Sequence, residues 1–176
     1  LLQKIWKDTL GIEIPHPFQR MTYAEAMDQY GVDKPDLRNP LLLSDITELV
    51  KNHQGGGVPL FSQILESQGM IKLLRIPKEH AKQLSNTEVR KLEDEVKPLG
   101  SSGLASARLD EQGMGLDLAW QQSPLAKTIS PELRMAIHQQ IGAKPGDLLL
   151  FQFGRSKLVN LVLHTLRQQL GKRLNL

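Results

Sequence analysis

The stretch Leu148-Leu149-Leu150-Phe151-Gln152-Phe153 is apolar but for one glutamine, and it follows directly on a Lys144-Pro145-Gly146-Asp147 turn. A strand of this kind needs cover on both faces, which predicts a place in the middle of a sheet. The segment after it, about 155–170, is apolar at Leu158, Val159, Leu161, Val162, Leu163, Leu166 and Leu170. So broad a stripe predicts a helix packed on a sheet face rather than one lying free in solvent. Any fold for this chain must therefore lay that helix across a layered sheet.

The remaining elements are read around this pair. Met70 to Pro77 is a second strand candidate, with Lys72 and Arg75 interrupting its apolar residues, and Val58 to Ile64 is a third. Thr22 with Glu25, and Ser85 with Glu88, have the spacing of a capping box. They predict helices over 23–30, stopped by Gly31, and from 86 toward Gly100, where Arg90 and Asp94 are spaced to pair. Ser130-Pro131 opens a helix with Leu133, Ile137 and Ile141 on one face, and Ser123-Pro124 opens a shorter one. Ser44 is read as the cap of a helix over 44–50, and residues 2–10 as the end of another, stopped by Gly11. Leu104 to Leu109 and Gly115 to Ala119 flank the 110–115 turn as hairpin arms. The sum is an α+β fold, a mixed sheet of about four to five strands covered by helices over 44–170. Residues 1–43 have no sheet of their own to pack against.

The sequence has no cysteine, which excludes disulfide staples and thiolate metal sites. Its 14 glycines and 10 prolines exclude collagen-like and broadly disordered readings. No apolar run approaches the roughly 20 residues that cross a bilayer, so no membrane partner is expected. The opening LLQKIWKDTLG contains an acid and lacks a small-residue cleavage site, so a secretory signal is not expected. It also lacks an initiator methionine, so the chain reads as a piece of something longer. The net charge of +3 does not by itself imply nucleic acid, but residues 101–176 carry +4 while 1–43 carry −1 and 44–100 are neutral. Arg155, Lys157, Arg167, Lys172 and Arg173 sit in a terminal stretch without acids and are the candidates for phosphate contact. The plainer reading is solubility, with the last three of them lying toward the favourable end of a helix dipole.

No self-sufficient catalytic constellation emerges. His16, His53, His80, His138 and His164 lie in different elements without metal-ligand spacing, so no metal is assigned. No G-x-S-x-G elbow is present, and Gln54-Gly55-Gly56-Gly57 lacks the ending of a phosphate loop. Aromatic residues are too few for a base-stacking platform. One loop stands out: Asp33, Lys34, Asp36 and Arg38 alternate in sign around Pro35. They are candidates for orienting a substrate, and equally for an Asx-turn and a local ion pair tying the loop to its own domain.

Around this loop, Met21-Thr22-Tyr23-Ala24-Glu25-Ala26-Met27 and Tyr30-Gly31-Val32-Asp33-Lys34-Pro35-Asp36-Leu37-Arg38 closely resemble a segment of bacterial-type aspartyl-tRNA synthetases, a family also found in mitochondria. The likeness runs on through Leu74-Arg75-Ile76-Pro77, Gly100 to Ala105, Ser123-Pro124-Leu125-Ala126-Lys127, Gly146-Asp147, and Leu166-Arg167 with Leu170-Gly171 and Leu176. It implies a strip of class II catalytic domain over 1–43 and, over 44–170, the insertion domain shared with the GatB and GatE amidotransferase subunits. Residues 171–176 would return toward the catalytic domain. The resemblance implies ATP, Mg²⁺, aspartate and tRNA-Asp as ligands of a homodimeric parent enzyme, in the bacterial cytoplasm or, for a eukaryotic source, the mitochondrial matrix. The second and third class-defining motifs and the anticodon-binding barrel do not occur in this stretch, so it is expected to be inactive alone and to hold no cofactor. Two other readings stay open: a stand-alone tRNA-binding module related to the amidotransferase-associated domain, which should lack residues 20–38, and a stiffening domain that touches no RNA. The sequence does not decide whether tRNA-Asn is charged as well.

Overall fold

A computed structural model describes residues 1–176. In chain order it contains α1 (Leu2–Leu10), α2 (Tyr23–Tyr30), β1 (Leu43–Asp45), α3 (Thr47–Asn52), α4 (Pro59–Glu66), β2 (Met70–Ile76), α5 (Lys78–Ala81), α6 (Asn86–Val96), β3 (Ala105–Leu109), β4 (Trp120–Gln121), α7 (Pro131–Ile141), β5 (Leu148–Gly154) and α8 (Ser156–Arg173). The five strands form one sheet in the order β1-β2-β5-β3-β4. The α+β expectation holds, with β5 central as its apolar run requires. The sheet is not mixed, however: every pairing in it is antiparallel.

Alternation along β5 divides the interior in two. Leu149 and Phe151 enter one core with Phe61, Leu133 and Ile137 from α4 and α7, while Leu148 and Leu150 enter the other with Leu92, Val159, Val162 and Leu166 from α6 and α8. Each fully buried leucine or phenylalanine stabilises the fold by about 1.5–3 kcal/mol relative to exposure. The broad stripe of α8 is thus explained by its position flat on the second face.

Thr22 and Ser85 form both capping boxes, their hydroxyls accepting from the N–H of Glu25 (3.2 Å) and Glu88 (3.3 Å), and Ser130 accepts from Leu133 N–H (3.3 Å). Five expectations need correction. Val58 to Ile64 is not a strand: Pro59 opens α4, and Leu60, Phe61, Ile64 and Leu65 recur at helical spacing, with Phe61 fully buried. The first strand is instead β1, where Ser44 lies in the ladder and Asp45 Oδ1 accepts from Thr47 N–H (2.8 Å) to start α3. The second hairpin arm is Trp120–Gln121, because the glycine-broken 113–117 stretch cannot extend the ladder. Ser123-Pro124 opens only turns, since the chain is drawn away to Gly56, whose carbonyl accepts from Ser130 N–H (2.7 Å). The anticipated Arg90–Asp94 pair is also not formed, Asp94 bonding Lys97 instead (2.8 Å).

The break in packing falls near Tyr23 rather than at residue 43. Ala26, Tyr30, Leu41 and Leu43 are buried, whereas α1 buries nothing.

Candidate functional site

The 33–38 loop begins where α2 ends at Gly31, whose left-handed backbone (φ 72°) lies against the Asn160 carbonyl of α8. Only glycine suits that position, because a side chain would strike the Asn160 backbone as well as straining φ. Within the loop Asp36 and Arg38 close on each other. Asp36 Oδ1 accepts from Arg38 N (3.0 Å) and Nε (2.9 Å), and Oδ2 from Nη2 (2.7 Å). These bonds, the side-chain one foremost, hold the Asp36 carboxyl well below the usual carboxylate range and raise Arg38. Asp33 and Lys34 are exposed and stand outside this pair. The four loop residues are therefore neighbours without being one cluster.

Beneath the loop lies Arg167, 0 % exposed. Its Nη2 donates to the carbonyls of Asp36 (2.9 Å) and Asn39, its Nε donates to the carbonyl of Leu41, and its guanidinium lies over the Tyr30 ring with 4.8 Å to the centroid. Asn39 answers by donating to the Arg167 carbonyl (2.7 Å) and accepting from Leu41 N–H (3.0 Å). Burial lowers the Arg167 pKa, and Tyr30 and Asp36 oppose that shift. Arg167 is thus withdrawn from the phosphate-contact candidates, since a guanidinium enclosed by protein cannot meet RNA. The sequence placed it on a basic surface because its partners, all backbone carbonyls more than 120 positions away, leave no mark in local charge pattern.

A second buried cation lies close by. Lys72, 1 % exposed, projects from β2 toward the end of α2, where Nζ donates to the carbonyls of Met27 and Asp28 (both 3.0 Å) and to Asn160 Oδ1 (3.2 Å). A cation at a helix C-terminus is favoured by the free carbonyls and the dipole. Burial lowers its pKa, with Asp28 (3.6 Å) opposing. His164 Nδ1 meets the Tyr30 carbonyl at 3.2 Å, and burial lowers its pKa too. Three side chains of the sheet and α8 thereby hold the backbone of residues 27–41.

The other basic candidates are exposed but scattered. Arg155 and Lys157 stand at the start of α8, Lys172 and Arg173 at its end, about 25 Å away at 1.5 Å per residue. Arg173 is engaged by Glu95 (2.8 Å). No group of three His, Asp or Glu side chains gathers closely enough to hold a metal ion. His138, not singled out by spacing, is fully buried: its Nδ1 faces the Leu116 carbonyl (2.6 Å) and its Nε2 faces Trp120 Nε1 (2.7 Å). Indole only donates, so the ring is neutral with its proton on Nδ1. Its role is structural.

Residues 61–163 match the GAD domain family. Over 176 residues, all of this chain, it is 50% identical to the aspartate–tRNA(Asp/Asn) ligase of Anaeromyxobacter dehalogenans strain 2CP-1. The corresponding ligases of Cyanothece sp. and Natranaerobius thermophilus are 41% and 38% identical, again across the whole chain. The chain spans 28% of the length of the Anaeromyxobacter relative and 29% and 28% of the other two.

Proposed function

From the premise that this chain belongs to the GAD domain family, we propose that it is the insertion-bearing part of an aspartate–tRNA ligase and acts there as an accessory domain near the tRNA acceptor arm. The whole protein, in this reading, joins aspartate to tRNA with ATP and Mg²⁺, as a homodimer in the bacterial cytoplasm. The name its relatives carry extends the substrate to both tRNA-Asp and tRNA-Asn. Residues 1–43 are a strip of the catalytic domain, 44–170 the insertion, and 171–176 the way back.

The observation that carries the proposal is a match at 50% identity that runs through all 176 residues and so takes in both the 21–38 motif and the GAD domain at 61–163. Activation of a carboxylate by ATP needs cations around the phosphates and a clamp for the amino acid. Here Arg167 and Lys72 are spent on backbone carbonyls and Arg38 on Asp36. The chain's own part is then mechanical: it holds the 33–38 loop at a fixed height over α8. Exposed Arg155, Lys157 and Lys172 supply weak phosphate contacts that fade as salt rises.

The test has two arms. The isolated chain, given ATP, Mg²⁺ and aspartate, is expected to show no aspartate-dependent exchange of pyrophosphate into ATP, and measurable exchange overturns the accessory reading. Titration with tRNA-Asp is expected to show saturable binding at low salt that weakens steadily as salt is added. Absence of binding at low salt overturns the RNA contact and leaves a stiffening role.

A further inference from the structure

The sheet is left open at one edge. β4 pairs with only Arg108 and Leu109 of β3, and Gln122 then adopts a left-handed conformation (φ 54°) that turns the chain aside. The ladder's phase is fixed by its bonds. Leu109 N–H donates to Asp147 O (2.9 Å) and Gly146 N–H to Leu109 O (3.2 Å), whereas Asp110 N–H donates to Ala119 O (3.0 Å) on the other side. By strand alternation Ala105, Ala107 and Leu109 bond toward β5, so Ser106 turns its N–H and C=O outward, beyond the point where β4 stops. An open edge of this kind is a template for another strand.

Recesses flank this edge on both faces. On one side Pro59, Leu60, Ala105, Leu125 and Phe153 form the apolar part of a recess of about 560 Å³ whose one charged lining residue is Glu93, which favours apolar over acidic side chains there. On the other, Asn86, Arg90, Ser106 and Arg108 line a polar recess of about 260 Å³ whose charged side chains are both arginines. Arg108 is committed to the carbonyls of Ala81 (3.2 Å) and Leu84 (2.7 Å). Arg90 is exposed, and Asp94, the acid one turn on, is held by Lys97.

We propose that the outer edge of β3 at Ser106 is a strand-addition site for an extended segment of a partner protein in which apolar and acidic residues alternate. An added strand sends alternate side chains to opposite faces. The apolar ones enter the recess beside Phe153, and the acidic ones face Arg90. The occupant is fixed by that charge: a basic strand meets repulsion, and a second copy would set Arg90 near its own counterpart.

The test uses the hexapeptide Leu-Glu-Leu-Glu-Leu-Glu, capped at both ends, against the purified chain, read by fluorescence anisotropy and by amide exchange. Saturable binding with slowed exchange at Ser106 is expected. Ser106→Pro removes only an outward N–H, which an edge strand tolerates, and Arg90→Glu reverses an exposed charge without touching the core. Each is expected to weaken binding about tenfold or more. Four results overturn the proposal: no saturation, equal binding of the Leu-Lys counterpart, exchange slowed elsewhere but not at Ser106, or a dimer of the chain alone protecting Ser106 without peptide.

Discussion

Replacing Arg167 with methionine keeps much of the side-chain volume in α8 and removes every donor. Three carbonyls, of Asp36, Asn39 and Leu41, lose their partner inside the protein. An unsatisfied buried polar group costs about 1–3 kcal/mol, so three left in place would cost about 3–9 kcal/mol. The 36–41 segment has an alternative, which is to lift off and hydrate. The loss is then limited to what its packing contributes, chiefly Leu41 and the Asn39 bonds back to α8, and is expected at about 3–5 kcal/mol. For a chain of this size that lowers Tm by about 2–4 °C per kcal/mol. Urea unfolding gives the total, and amide exchange of Leu41 locates it, because local lifting exposes that N–H before global unfolding. Arg167→Lys keeps the charge but offers a point donor in place of a fork, and should recover part of the loss without recovering Leu41 protection. A loss below about 1 kcal/mol for Arg167→Met, with Leu41 still protected, would refute the assignment of this side chain as the anchor of the loop.

Gly171→Ala should destabilise although alanine is the better helix former by about 1 kcal/mol, since the new methyl overlaps Asn39 Nδ2, itself tied to the Arg167 carbonyl. A net loss of about 1–3 kcal/mol in urea, abolished in an Asn39→Ala background, is the expected pattern. The Asp36 carboxyl should titrate by ¹³C NMR well below the usual range, and Arg38→Ala should restore an ordinary midpoint. With a depressed folded pKa, its stabilisation is complete above the unfolded value near 3.8 and declines only as pH falls toward the folded one. Burial lowers the His138 pKa from the ordinary histidine value of 6.5, so the unfolded chain binds the proton first and stability falls as pH drops below that value until the folded pKa is passed. His138→Phe should reduce this acid sensitivity, leaving the share of His164, in a Trp6→Phe background where Trp120 fluorescence reports unfolding, and an unchanged pH profile would contradict it.

What could be read in the sequence was whatever carries its signal locally. The capping boxes at Thr22 and Ser85 work across three residues, and the alternation of Leu148 to Phe153 with the stripe of α8 needs only period and length. β1 and β4, with three and two residues, are too short to show a period at all. Val58 to Ile64 reads as a strand for a related reason: a short apolar run is nearly the same string whether it will coil or extend, and only Pro59 and the three- and four-residue recurrence of Leu60, Phe61, Ile64 and Leu65 favour the helix. In the candidate site, the 21–38 motif and the Asp36–Arg38 turn were visible because the bonded residues are two apart. Lys72 and Arg167 were not, because a cation in an apolar context gives no sign of which distant carbonyl it will meet.

That blindness falls on the residues that join the two regions. α2 has eight residues, too few to persist alone in water, and its last carbonyls draw on Lys72 of β2 as well as on the Gly31 N–H that caps Met27. The loop after it is bonded within itself only by Asp36 and Arg38, and its height over the sheet is set by Arg167 and His164 of α8. The 23–41 segment therefore takes its shape from the α+β body and cannot be ordered before β2 and α8 have met. Damage to that body is then transmitted to the motif even where no motif residue changes. In the whole ligase proposed here, a substitution at Lys72 should disturb the catalytic strip more than one at Arg155, although only the second lies on an exposed basic surface.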